Sequence, residues 1–215
     1  MEEENNKQEE EKDDRIVIIN NIDSGRKDDD FRRISLYGDI EEKISSDIVS
    51  LLMYFSDTAK GLEYKNPEDP ESELIEITKP IKMVISSHGG SAADMFSIYD
   101  TMRVVRENCD IETIALGKVM SAGVPLLAAG TKGKRKIGAN CRVMIHSVIG
   151  GYHGSLTNME NEIAEIRWVQ DRYVKCLANE TAMSQKQIKK MLRKQVDVYL
   201  SAEEAVKFGI ADEIV

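Results

Sequence analysis

Tryptophan occurs once in this 215-residue chain, histidine and cysteine three times each and proline four times, and aromatic residues make up only 6%. No apolar run approaches the roughly 18 consecutive residues of a membrane-spanning helix, so no membrane partner is expected. The cysteines, Cys109, Cys141 and Cys176, are odd in number and far apart, with neither a CxxC nor a Cys/His ligand spacing. Neither a disulfide framework nor a zinc site is therefore expected, and the site residues are read as including no metal ligands. Reduced, mostly buried thiols in a cytoplasmic compartment are the expectation. Positive charge is in deficit, 29 Lys and Arg against 38 Asp and Glu. The net charge of −9 argues against nucleic acid as the main partner. The opening MEEENNKQEEEKDD has no apolar stretch, so it reads as neither a signal nor a transit peptide.

Hydrophobic residues are present at 41%, with ten methionines, enough for an aliphatic core of ordinary size. Residues 1–30 read as an acidic, flexible N-terminal segment and 31–215 as a single folded domain. Residues 59–73 carry two of the four prolines and several acids, and read as an exposed loop or small excursion between a helix and a strand. Elsewhere short apolar runs alternate with helical patterns. RRISLYGDI (32–40), IKMVISS (81–87), IETIALG (111–117) and CRVMIHS (141–147) read as strands. Ile44, Ile48, Leu51, Leu52 and Phe55 recur at helical spacing, as do Met95, Ile98, Met102 and Val105. Ser91-x-x-Asp94, Thr157-x-x-Glu160, Ser184-x-x-Gln187 and Ser201-x-x-Glu204 fit the pattern of helix starts. Strands alternating with helices imply βαβ units, an α/β fold and a mainly parallel sheet.

In open α/β folds reactive groups gather where strands end and helices begin, and three such junctions stand out. SSHGGSA (86–92) follows a strand, and its two glycines let the backbone approach another group closely and turn an N–H outward. It lacks the lysine of a phosphate loop, and a plain tight turn accounts for it equally well. Ser121 lies between a strand and a short helix, where free N–H groups and the positive end of a helix dipole are near. The surrounding VMSAG is not the GxSxG elbow of the α/β hydrolases, and a serine placed as Ser121 is, on its own, more often an N-cap than a nucleophile. His146 ends an apolar strand, as a hydrogen-bonded core histidine also would. A serine nucleophile needs such a base, and the base needs a carboxylate to fix its tautomer. Spacing alone does not choose among the carboxylates. Asp197 is the best candidate, because Val196, Val198, Tyr199 and Leu200 point to a buried setting.

From residue 32 to 215 the chain resembles the proteolytic subunit of the Clp protease (ClpP), as a divergent member. The resemblance is carried by SSHGGSA, MFSIYDTMRVV, AGTKGKRKIGANCRVMIH, GGYHG and YLSAEEAVKFGIADEIV, in the family's order. It implies a crotonase-like stack of βαβ units with a protruding handle helix, here 157 to about 179, and a strand at 150–154 that touches an opposite ring. It implies a serine endopeptidase that forms an acyl-enzyme, with Ser121 as nucleophile, His146 as general base and acid, Asp197 as the orienting carboxylate, and the backbone N–H groups of Gly90 and Ala122 as the oxyanion hole. It further implies two stacked heptameric rings of this chain, no cofactor in the subunit, an AAA+ Clp unfoldase partner that uses ATP, and unfolded polypeptides as substrates. The sequence departs from the family's usual pattern at His88, where proline is common, at Ala122, where methionine is common, and at Ser147-Val148, where Gln-Pro is common. A catalytically silent subunit of a mixed ring and a phage capsid-maturation protease are the alternative readings.

Overall fold

A computed structural model describes residues 31–193 and 196–215; the expected acidic N-terminal segment, 1–30, lies outside the described residues. Nine strands and six helices are formed among them. Strand β1 (Arg33–Ile40) leads into helix α1 (Glu42–Asp57), then a hairpin of β2 (Lys60–Tyr64) and β3 (Leu74–Thr78). Next come β4 (Ile81–Gly90), α2 (Ala92–Val105), β5 (Ile111–Met120), α3 (Gly123–Ala128), β6 (Arg135–Ile137) and β7 (Arg142–Ile145). The remainder is α4 (Leu156–Glu180), α5 (Gln185–Leu192), β8 (Val198–Leu200), α6 (Ala202–Lys207) and β9 (Glu213–Ile214).

The α/β expectation holds, with a sheet that is mixed rather than wholly parallel. Seven strands join in the order β1-β4-β5-β6-β9, with β7 branching from β5 and β8 pairing β7. All pairs are parallel except β7 with β8. Strand β5 forks: Thr113, Ile114 and Ala115 pair with β6, whereas Lys118, Val119 and Met120 pair with β7. Gly117, at φ 71°, supplies the left-handed backbone between the two halves.

One face of the sheet is buried beneath α1 and α2. Ile81, Met83, Ile85, Ser87 and Gly89 alternate inward along β4, and the intervening residues are half-buried or exposed. Helix α1 contributes Ile44, Ile48 and Leu52, and α2 contributes Met95, Ile98, Tyr99, Met102 and Val105, the stripes that the apolar periodicity predicts. Ser184 with Gln187 and Ser201 with Glu204 form complete capping boxes, and Ser91 Oγ accepts the Asp94 N–H.

A second cluster, of ionic groups, ties the C-terminal third to the sheet. Arg135, 4% exposed, donates from Nε to Asp212 Oδ2 at 2.8 Å and from Nη1 to the Glu180 carbonyl at 2.7 Å. Glu180, also 4% exposed, accepts from Tyr99 Oη at 3.0 Å and from both terminal nitrogens of Arg106 at 3.0 Å. Burial raises the Asp212 carboxyl, but the hydrogen bonds and charge of Arg135 outweigh it and hold the group below the ordinary carboxylate range.

Several expectations need correction. The 59–73 stretch is not simply a loop: its first part forms β2, and the proline-bearing residues are the tip joining β2 to β3. The long helix starts earlier than the Thr157 pattern predicts, because Ser155 Oγ accepts the Asn158 N–H and caps it at Leu156. Residues 150–154 form neither helix nor strand, and no strand among the described residues pairs with them. The buried setting expected for Asp197 is absent: Asp197 is exposed, and Val196 and Tyr199 are 63% and 49% exposed. The physical reason is that β8 is a three-residue edge, where only every second side chain turns inward.

Helix α4 runs 25 residues, about 37 Å at 1.5 Å per residue. Only its last part is buried, through Tyr173, Val174, Cys176, Leu177 and Glu180. Its first part leaves Leu156, Met159, Ile163 and Trp168 exposed. Among the described residues no helix is long and apolar enough to cross a membrane.

Candidate active site

The topology gathers three strand ends. Strand β5 finishes at Met120, β7 at Ile145, and β8 begins at Val198. Met120 is the register partner of Met144, and Ile145 of Val198. The next residue beyond each pair is Ser121 on β5, His146 on β7 and Asp197 ahead of β8. Residues 76 positions apart in the chain, Ser121 and Asp197, thus lie at the ends of strands joined by two ladders.

Ser121 is the only non-glycine residue with positive φ among the described residues, at 50°. Such a conformation is uncommon for a side chain with a Cβ and persists only where the surroundings impose it. The constraints are visible. Its N–H donates to the Met144 carbonyl at 2.8 Å, and its own carbonyl accepts the Val124 N–H at 3.1 Å and the Tyr173 hydroxyl at 3.1 Å. The turn leads directly into α3, where Pro125 sits in the first turn and no intrahelical N–H bond is lost. The Ala122 N–H has no acceptor among the described residues.

The Gly89-Gly90 end of β4 lies against this turn. A Cβ on Gly89 would stand 2.6 Å from Ser121 Cβ and 3.0 Å from the Ala122 nitrogen. Gly90, at φ 146°, adopts backbone that only glycine takes readily, and a Cβ there would meet the Ile40 backbone. Register irregularities on both flanks of β4, at Tyr37/Asp39 with β1 and at Ile85/Ser87 with β5, accompany this close approach.

An open cleft of about 370 Å³ contains Gly90, Ser121, Ala122 and His146, with Tyr173 and His88 also on its walls. Asp197 does not line it. No hydrogen bond joins Ser121, His146 and Asp197 among the described residues: His146 Nδ1 instead lies 2.6 Å from the Ser147 carbonyl oxygen. A carbonyl only accepts, so this hydrogen bond is donated by Nδ1–H and leaves Nε2 uninvolved in it. Ser121 and His146 thus share a cleft, while Asp197 stands one residue beyond the last β7–β8 pair with no hydrogen bond to either.

The other reactive groups are poorly placed for chemistry. Burial pushes the Cys141 and Cys176 thiols up to about 11 and raises Cys109 as well, leaving little thiolate at neutral pH. Among the described residues no cluster of three or more His, Cys, Asp or Glu side chains could hold a metal ion. Sequence reasoning missed two residues that shape the site. Tyr173 was visible only as one member of an apolar stripe on α4, although a hydroxyl among aliphatic residues is a signal for a buried acceptor. Gly89 was visible as a flexible residue, but its partner, Ser121, is a tertiary neighbour. The Clp protease family model matches residues 72–215, about two thirds of the chain, and so spans every site residue named here.

Proposed function

The chain belongs to the Clp protease family, and from that membership we propose that it is a serine endopeptidase subunit acting on unfolded polypeptides through an acyl-enzyme. Ser121 Oγ attacks the scissile carbonyl, and His146 Nε2 takes the hydroxyl proton and returns it to the leaving amine. The oxyanion is met by the N–H groups of Gly90 and Ala122, and water then releases the acyl group from Ser121. Asp197 accepts a hydrogen bond from His146 Nδ1–H during turnover and stabilises the imidazolium, which requires the imidazole to leave the Ser147 carbonyl by side-chain rotation. The observation that carries this reading is the strained Ser121 turn, which faces one cleft with His146 and leaves the adjacent Ala122 N–H unused.

The family supplies the rest of the proposal. Helix α4 serves as the handle of a crotonase-like subunit, and its exposed Leu156, Met159 and Ile163 meet a second ring. Two heptameric rings of this chain enclose the sites, and an AAA+ unfoldase uses ATP to deliver substrates, so the subunit needs no cofactor. The contact between His146 and Ser147 favours one second reading, a silent subunit of a mixed ring. Two measurements decide. Ser121→Ala should abolish cleavage of a short fluorogenic peptide without changing the oligomer, and a fluorophosphonate should label Ser121 stoichiometrically. Full cleavage by Ser121→Ala refutes serine catalysis; failure of the parent chain both to cleave and to label supports the silent subunit.

A further inference from the structure

We propose that Tyr173 is a positioning residue for this site: from α4 its hydroxyl holds the Ser121 carbonyl and so sets the direction of the Ala122 N–H. The proposal rests on the serine-peptidase reading and adds to it a residue outside the triad and outside the oxyanion donors.

The geometry is local. Tyr173 is 5% exposed, its ring packs in the core, and its Oη lies 3.1 Å from the Ser121 oxygen. The carbonyl and N–H of one trans peptide point in opposite directions, so fixing the Ser121 oxygen fixes the Ala122 N–H. That peptide turns about ψ of Ser121 and φ of Ala122, beside a residue already held at a left-handed φ of 50°, so its direction depends on what its carbonyl is bonded to. The six-residue α3 opposes the rotation with a single bond, from the Val124 N–H. The hydroxyl of Tyr173 adds the second, and no other side chain hydrogen-bonds this carbonyl among the described residues. Burial raises the phenol above its ordinary value, so it remains a proton donor throughout the neutral and mildly alkaline range.

Tyr173→Phe removes the hydroxyl and keeps the ring. With short fluorogenic peptides, which test the assembled chain without an unfoldase, kcat should fall about tenfold while KM and the melting temperature stay at parent values. Labelling of Ser121 by a fluorophosphonate should slow by a similar factor, since it uses the same nucleophile and oxyanion donors. Unchanged kcat and labelling would overturn the proposal. So would a variant that fails to assemble or melts many degrees lower, since the hydroxyl would then serve the core rather than the site. Ser121→Ala measured alongside separates the two levels. If it is inactive and Tyr173→Phe is normal, only the role of Tyr173 is lost; if it is active, the serine-peptidase reading falls and this proposal with it.

Discussion

Replacing Gly89 with alanine tests whether the close contact between the end of β4 and the Ser121 turn is what sets the proposed site. The added Cβ would lie 2.6 Å from Ser121 Cβ, 2.9 Å from the Met120 oxygen and 3.0 Å from the Ala122 nitrogen. Two carbons sit comfortably at about 3.5–4.0 Å, so the turn must recede by about 1 Å. A displacement of that size between reacting groups can cost about 100-fold in rate. Gly89 also has φ +105°, where an alanine pays about 1–3 kcal/mol of backbone strain, within the roughly 5–15 kcal/mol that holds a domain folded.

Gly38→Ala separates strain from collision. Gly38 has a similar φ of +83° but nothing within 4 Å of its Cβ position. It should lose comparable stability and keep its activity. The assay is kcat/KM on a short fluorogenic peptide, with melting temperature measured on the same preparations. Gly89→Ala should be about 100-fold slower and still folded, and Gly38→Ala should match the parent in rate. Cleavage by Gly89→Ala within threefold of the parent would refute the claim that this contact positions Ser121.

Asp212→Asn strips the buried Arg135 of its carboxylate partner and should destabilise the chain by about 3–5 kcal/mol, a fall on the order of 10 °C in melting temperature by calorimetry. An unchanged melting temperature would show that the Arg135 bonds to the Ala128 and Glu180 carbonyls suffice. The same carboxyl predicts an acid limb. Its folded value lies below the unfolded value of about 3.9, so the unfolded state binds the extra proton between the two. The stabilisation is therefore complete above the unfolded value and lost as pH falls through the folded one; denaturant unfolding at stepped pH should show this limb flattened in Asp212→Asn, and an identical limb would exclude Asp212 as its source. Asp197→Asn should lower kcat by at least about 100-fold with KM little changed, because the base loses its orienting partner, and a parent-like rate would remove Asp197 from the mechanism.

Legibility in the sequence followed the range of the interactions. Helices α1 and α2 were readable because Ile44, Ile48, Leu52 and Met95, Ile98, Met102 face one neighbour at a helical period. The capping boxes at Ser184 and Ser201 were readable because both hydrogen bonds close within three residues. The start of α4 was missed because Ser155 and Thr157 both precede suitable partners, and only the packed helix shows which hydroxyl is used. Strands β2 and β3 were hidden because their residues are mostly exposed, so no buried face imposes a period. Strands β6 and β9, three and two residues long, are too short to show any period at all. Asp197 was misjudged as buried for a related reason: apolar neighbours alternate across an edge strand and do not enclose the residue beside them.

The junctions at Gly89-Gly90, Ser121 and His146 were legible as types of residue at strand ends, whereas their convergence depends on register. The fork in β5 is what makes convergence possible. If β5 paired with β6 along its whole length, β7 could not lie beside Met120, and the Ser121 N–H would lose the Met144 carbonyl. Because the fork exists, β7 also carries β8, and that antiparallel ladder ends at the Ile145–Val198 pair, with His146 and Asp197 the next residue along each strand's chain. Under the proposed mechanism, the passage from this arrangement to a hydrogen-bonded relay begins with a turn of the His146 side chain away from the Ser147 carbonyl.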